Sequence, residues 1–236
     1  MSVRASLNPR ETDRRRRRRR ALYRLLLPVL AVHLRLFYGF RVQRVTGAPK
    51  SVADCVVVAN HVCVLDAPMV AVAVRPVQVR FLSLAQNGRN RVYGPLVLAL
   101  GTLFVGDDLA ETREMLRRQE EALASGEAVG IFPEGRLDSY AKTLGPTVKG
   151  AFRIAVMAGV PVVPVALVQR RTWCLNRLRG LPGWEAWIGP ALEPPTRGGH
   201  AAKAADLERR SRAFIEERLA ASDWVSRRGG PPSRRS

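Results

Sequence analysis

Only three cysteines occur in the 236 residues, Cys55, Cys63 and Cys174, and none stands in C-x-x-C spacing or beside clustered histidines. That scarcity argues against a structural zinc site or a disulfide framework and fits a reducing cytoplasm. Aromatic residues are also few, at 6%, but with 47% hydrophobic content the chain can still build one sizeable α/β core. Acids are scarce in places: the whole chain carries +19, yet residues 51–200 hold 16 Lys and Arg against 13 Asp and Glu. Residues 1–50 hold 14 against 2, and residues 201–236 hold 9 against 5. The basicity therefore belongs to an N-terminal arm and to the tail Arg227–Ser236, whose Gly, Pro and Ser content is that of a disordered segment. Such charge suits an anionic membrane or nucleic acid.

A long uninterrupted apolar run is missing too. After the seven arginines Arg14–Arg20 comes ALYRLLLPVLAVHLRLFYGFRVQR, whose longest apolar run, Leu25–Val32, contains Pro28. Spanning a bilayer takes about 20 residues, so no conventional transmembrane helix is expected. No small-x-small site closes the run before His33 and Arg35, so no secretory signal is expected either. What remains is an interfacial segment whose Leu, Val, Phe and Tyr enter one leaflet while arginines meet lipid phosphates. The arginine run has no interleaved aromatics for base stacking, and nucleic acid is not expected as a partner. The organisation read from this is a basic disordered arm (1–20), an interfacial helical segment (21–44), one folded domain (45–222) and a disordered basic tail (223–236).

From about residue 51, strand-like and helix-like segments alternate. ADCVVVAN, VQVRFLSL, TLFVG, EAVGIFPEG, VPVVPVALV and WEAWIG read as strands; APMVAVAVR, VYGPLVLALG, DDLAETREMLRRQEEALASG and TVKGAFRIAVMAG read as helices. In the third helix Asp108 stands three residues before Glu111, as in a capping box, and Gly126 stops it. Helices between continuously apolar strands imply a single α/β domain with a largely parallel, mixed sheet covered on both faces. Ligands then bind at the carboxyl ends of the strands.

Two strand ends carry chemistry. In VVVANHVCVLDAP, His61 closes a buried run and Asp66 follows five residues later. On one regular helix that spacing would turn the two apart, whereas a strand-to-helix loop can bring them together. A carboxylate on one ring nitrogen fixes the tautomer and steadies the imidazolium, leaving the other nitrogen as a general base. The plainer alternative is that Asp66 caps the helix at Ala67–Pro68 and His61 bonds to backbone. GIFPEGR, Gly130–Arg136, ends a second strand in a Pro-Glu-Gly turn that presents Glu134 and Arg136 at the same edge.

With these blocks in hand, the sequence resembles the lysophospholipid acyltransferase family, the glycerol-phosphate acyltransferase-like enzymes that include 1-acylglycerol-3-phosphate acyltransferase. The N-H-x-x-x-x-D pattern is matched by Asn60, His61 and Asp66, and G-x-x-F-[IV] by Gly101, Phe104 and Val105. F-P-E-G is matched by Phe132–Gly135 and V-P-[IV]-[IV]-P-[IV] by Val160–Val165, while the family's K-x-G-[AF] helix start appears as Lys149-Gly150-Ala151-Phe152. The resemblance implies an acyltransferase domain that moves a fatty acyl group from acyl-CoA or acyl carrier protein to a lipid hydroxyl, without an acyl-enzyme and with no permanently bound cofactor or metal. It makes His61 the general base and Asp66 its orienter. Glu134, Gly135, Arg136, Gly101, Phe104, Lys149 and Pro164 are the expected substrate-binding residues. Cys63 is not expected to form an acyl-cysteine, since a nucleophilic thiol needs a lowered pKa. The expected setting is the cytoplasmic face of an anionic membrane, with the protein peripheral or monotopic.

Some positions depart from the family pattern. Where an arginine commonly contacts phosphate the chain has Gly106-Asp107, and a frequent lysine aligns with Leu84. The third block reads E-G-R rather than E-G-T-R, which still offers a guanidinium for phosphate; Arg89, Arg91 and Lys149 are further candidates. A non-phosphate lyso-lipid acceptor is therefore an alternative, and a non-catalytic lipid-binding protein is an alternative of another class.

Overall fold

Short runs of Val, Ala and Ile with no polar alternation have no face fit for water, and they become the interior strands of a seven-stranded sheet. A computed structural model describes residues 13–84, 87, 91, 94–105, 108–148, 150–171 and 180–222. The strands are β1 (Arg41–Arg44), β2 (Val56–Ala59), β3 (Val79–Leu84), β4 (Leu103–Val105), β5 (Ala128–Ile131), β6 (Val162–Arg170) and β7 (Gly183–Ile188). The helices are α1 (Asp13–Tyr38), α2 (Asp66–Ala73), α3 (Gly94–Ala99), α4 (Leu109–Ala124), α5 (Gly150–Ala158) and α6 (His200–Ala220). The sheet order is β1-β7-β6-β2-β5-β3-β4, and every neighbouring pair is parallel except β6 with β7.

Alternate residues of β2 divide the core. Val57 and Ala59 join Tyr23, Leu27, Leu34 and Met69 from α1 and α2, while Val56 and Val58 join Leu123, Phe152 and Leu207 from α4, α5 and α6. Both faces are thus covered, and the loops at the strand ends are what reach solvent. The N-terminus of α4 is built as its sequence requires, with the Asp108 carboxylate accepting from the Glu111 amide at 2.7 Å.

Three expectations are corrected. Residues 13–20, read as disordered, are the first turns of α1. The reason is a long-range partner: Arg19 donates to both carboxylate oxygens of Glu127 (3.0 and 3.2 Å), with both side chains buried, and Arg20 adds a third contact. Next along, the Tyr23 hydroxyl accepts from the Val79 amide at 3.2 Å, and burial pushes its pKa up to about 12. The domain also begins before residue 45, because Arg41–Arg44 is the edge strand β1, paired with Glu185–Ile188. Finally α1, with 26 residues and roughly 39 Å of length, is long and apolar enough to cross a membrane by length and composition. Pro28 is carried inside the helix and does not end it. α6, which the sequence pattern had not singled out, buries Ala204, Leu207, Ser211, Ile215 and Leu219 against the sheet and α5. The N-terminal stretch 1–12 and the tail 223–236 lie outside the described residues.

Candidate active site

β2 ends at Ala59, and Asn60 continues its pairing through the side chain: Nδ2 donates to the Leu167 carbonyl (3.0 Å) and Oδ1 accepts from the Leu167 amide (2.7 Å). This seals β2 to β6 and delivers His61 at the carboxyl edge. The following loop closes on Asp66, the first residue of α2 and wholly buried. Asp66 Oδ2 lies 2.8 Å from His61 Nδ1 and accepts from the amides of Val62 (2.6 Å) and Cys63 (2.8 Å). Burial, the dominant influence, raises the Asp66 pKa, while the His61 and amide hydrogen bonds pull it back. Orientation and loop closure therefore come from one oxygen; the helix-capping reading of Asp66 is corrected, since the N-cap position is Leu65 with no side-chain cap and the amides Asp66 holds belong to the preceding loop. The His61 side chain stays 27% exposed.

An aromatic stack sets the ring plane. His61 lies on Phe132 (centroids 4.5 Å, 19° between planes), and Phe132 lies on Phe81 of β3 (5.6 Å, 6°). Gly130 makes this possible, since a Cβ there would meet Phe81 Cδ1 at 2.5 Å.

The second strand end clamps the first. Glu134 is buried, and its carboxylate accepts from the His61 amide (2.8 Å) and the Gly145 amide (2.9 Å). The His61 carbonyl accepts from the Asp138 amide (3.0 Å) and the Val62 carbonyl from the Tyr140 amide (2.9 Å), with Tyr140 held at φ 62°. Gly135 turns the chain at φ +65°, where an added Cβ would also press on Val148 Cγ2 at 3.3 Å. Arg136 follows, exposed at the same edge. His61, Asp66, Glu134, Gly135 and Arg136 are thus brought together.

Three expected substrate contacts are corrected. Gly101 lies at the opposite edge of the sheet, its carbonyl accepting from Arg80 Nε (2.8 Å) and its missing Cβ leaving room for Arg19. Phe104 is buried in the edge strand β4, three places from β2. Pro164 is buried in β6, its ring filling the space Gly189 leaves. All three build the fold rather than face His61. Lys149, Arg89, Gly106, Asp107 and Cys174 lie outside the described residues, while Leu84 and Arg91 are exposed. Burial raises the Cys63 thiol pKa, and the neighbouring Asp66 charge adds to the rise, which disfavours the thiolate a nucleophile requires. Asn60 and Phe132, part of the quoted motifs, gain definite tasks. Phe81, Gly130, Asp138, Tyr140 and Gly145 were missed; a glycine inside an apolar strand was the one available signal, because Asp138, Tyr140 and Gly145 act through backbone and Phe81 through a ring stack with a residue far along the chain.

Residues 42–168, more than half of the chain, match the family model described as Acyltransferase. The chain is 32% identical over 133 residues to the chloroplastic 1-acyl-sn-glycerol-3-phosphate acyltransferase BAT2 of Brassica napus, covering 56% of this chain and 38% of that protein. It is 30% identical over 121 residues to the 1-acyl-sn-glycerol-3-phosphate acyltransferase of Pseudomonas aeruginosa, covering 51% and 46%. The human 1-acyl-sn-glycerol-3-phosphate acyltransferase alpha is 28% identical over 180 residues, covering 73% and 62%. The chain thus spans less than two thirds of the length of each of these relatives. Its fold is shared with the crystal structure of the 1-acyl-sn-glycerophosphate (LPA) acyltransferase PlsC from Thermotoga maritima, at TM-score 0.63 and 21% identity over 94% of this chain and 88% of that one. The matched span runs from β1 through β6 and includes both strand ends that meet at His61, and on that extent of agreement the chain belongs to the acyltransferase family.

Proposed function

We propose that the protein transfers a fatty acyl group from a thioester, acyl-CoA or acyl carrier protein, to the free hydroxyl of a lysophospholipid such as 1-acylglycerol-3-phosphate. The observation that carries this reading is the 2.8 Å contact between His61 Nδ1 and a wholly buried Asp66, with the imidazole still reachable from solvent. Asp66 keeps the proton on Nδ1, so Nε2 is the free base. As the acceptor oxygen attacks the thioester carbonyl, its proton passes to Nε2. The tetrahedral intermediate then expels the thiolate, which takes that proton back, giving ester and free thiol. A base so placed contributes roughly 10²- to 10⁴-fold. The reaction needs no resident cofactor.

Glu134 acts by fixing the His61 backbone, since both its oxygens are already engaged by amides. Arg136, exposed beside it, is the group suited to an acceptor phosphate. Asp107, an anion where the family pattern commonly has an arginine, favours a second reading, a non-phosphate lyso-lipid acceptor, and Leu84 in place of a frequent lysine agrees with it. α1 lies along the leaflet rather than across it, its inner face being occupied by the domain, and the cytoplasmic face is the proposed location. Incubating the purified chain with radiolabelled acyl-CoA or acyl carrier protein and a panel of lyso-lipids tests the proposal. Labelled phospholipid is the expected product; label confined to non-phosphate lipids would select the second reading, and no labelled lipid at all would reject both.

A further inference from the structure

Between β5 and α5 the chain runs through residues 132–148 with neither helix nor strand. Such a stretch has no ladder for its backbone groups to join, so its position is set by whatever it is bonded to at each point. Midway it meets the His61 loop, where the Asp138 and Tyr140 amides reach the His61 and Val62 carbonyls. Farther on it is held by α6. Leu144 is buried with Ile215 and Leu219, and the Thr147 hydroxyl donates to Glu208. Between those two anchors stands Arg212, whose Nη1 donates to the Gly145 carbonyl (2.8 Å). Its Nη2 donates to the Leu144 carbonyl (3.4 Å) and to Glu216 (2.8 Å).

The Leu144 carbonyl and the Gly145 N–H belong to one peptide group. Arg212 holds the oxygen side, and the N–H donates to Glu134 Oε2 (2.9 Å), while Glu134 Oε1 accepts from the His61 amide (2.8 Å). A cation at the carbonyl polarises the peptide and makes its N–H a stronger donor. The fit is close, since a Cβ on Gly145 would meet Glu134 Oε2 at 2.9 Å. A continuous path of hydrogen bonds therefore joins a guanidinium on α6 to the backbone of the base.

Arg210, on the same helix, makes the same kind of bond with a different destination. Its Nη1 donates to the Glu193 carbonyl (3.1 Å), next to Leu192, which bridges to Val162 at the start of β6. That is the edge of the sheet away from His61.

We infer that Arg212 is a positioning residue for His61, acting through the Leu144–Gly145 peptide and the Glu134 carboxylate. It acts at one remove from the chemistry, fixing where Glu134 stands and so where the His61 amide and imidazole stand at the carboxyl edge. The inference rests on the acyl-transfer reading with His61 as base.

Acyl transfer and Tm are measured on full-length Arg212→Met, Arg210→Met, Glu134→Gln and the double variant Arg212→Met with Glu134→Gln. Arg212→Met lowers kcat about 10-fold with KM within about 2-fold of wild type, while Arg210→Met leaves kcat near wild type whatever its Tm. In the Glu134→Gln background Arg212→Met costs less than about 2-fold more, because the path it acts through is already broken. Arg212→Lys, which keeps the charge and a donor, restores kcat to within about 3-fold of wild type. Should Arg212→Met not fold, Arg212→Gln takes its place in the cycle. Amide ¹H–¹⁵N spectra read position without turnover: the His61 amide resonance moves in Arg212→Met and stays in place in Arg210→Met. Full kcat in Arg212→Met, a loss that adds in full to that of Glu134→Gln, or an unmoved His61 amide would overturn the inference and leave the acyltransferase reading standing. No acyl transfer by the wild type, with the His61 amide still moved by Arg212→Met, would reject the enzymatic reading and leave the tether.

Discussion

Glu127 and Glu134 sit at opposite ends of the same strand, β5, and both are buried, yet the protein satisfies them in different ways. Glu127 is neutralised by Arg19 and Arg20 and fastens α1 to the domain. Among the described residues Glu134 bonds to no guanidinium and instead gathers two backbone amides, one of them that of His61. A buried carboxylate must find donors, because an unmatched one is costly. Where the donors are arginines the result is a strut between elements. Where they are amides of a loop, the carboxylate sets backbone position to within a hydrogen-bond length, as Asp66 also does on the other side of His61.

That contrast can be broken by substitution. Asp66→Asn should have the largest effect, lowering kcat/KM by roughly 10²- to 10⁴-fold, since an amide no longer enforces a proton on Nδ1; circular dichroism should show the fold retained. Glu127→Ala comes next, on stability. Removing the buried carboxylate that Arg19 and Arg20 share should cost about 3–5 kcal/mol, seen as a fall in Tm, while turnover per folded molecule stays near wild type. Glu134→Gln should do the reverse, lowering kcat by about 10²-fold through misplacement of the His61 backbone with a smaller change in Tm. If Glu127→Ala depressed turnover and Glu134→Gln only Tm, the division of labour would be the opposite of that drawn here. The smallest effect concerns Cys63. Its pKa is raised, so the thiol keeps its proton at neutral pH, and iodoacetamide labelling should accelerate only above the usual thiol range. Rapid labelling at pH 7 would contradict that environment.

The carboxyl edge was legible in the sequence because its chemistry is local. Asn60, His61 and Asp66 are close in the chain, and Phe132–Gly135 end a strand whose apolar pattern is plain. The helix-capping Asp108 and the stop at Gly126 are local signals too, and both sit where the sequence puts them. The amino edge was not legible. Nothing near Arg19 in sequence announces Glu127, more than a hundred residues on, so a run of arginines reads as solvated until the fold supplies its partner. The same distance hid β1, whose four residues are all exposed and carry no apolar alternation. Gly101, Phe104 and Pro164 show the converse error. Their motif blocks are real features of the chain, but a motif does not say whether a residue faces a substrate or holds a strand in place.

The most direct test compares acyl transfer by wild type and His61→Ala from one labelled acyl thioester to a lysophospholipid, in vesicles that both proteins bind equally. Loss of transfer in the variant with binding and Tm unchanged is the expected result. Equal rates from the two proteins would contradict the assignment of His61 as the base.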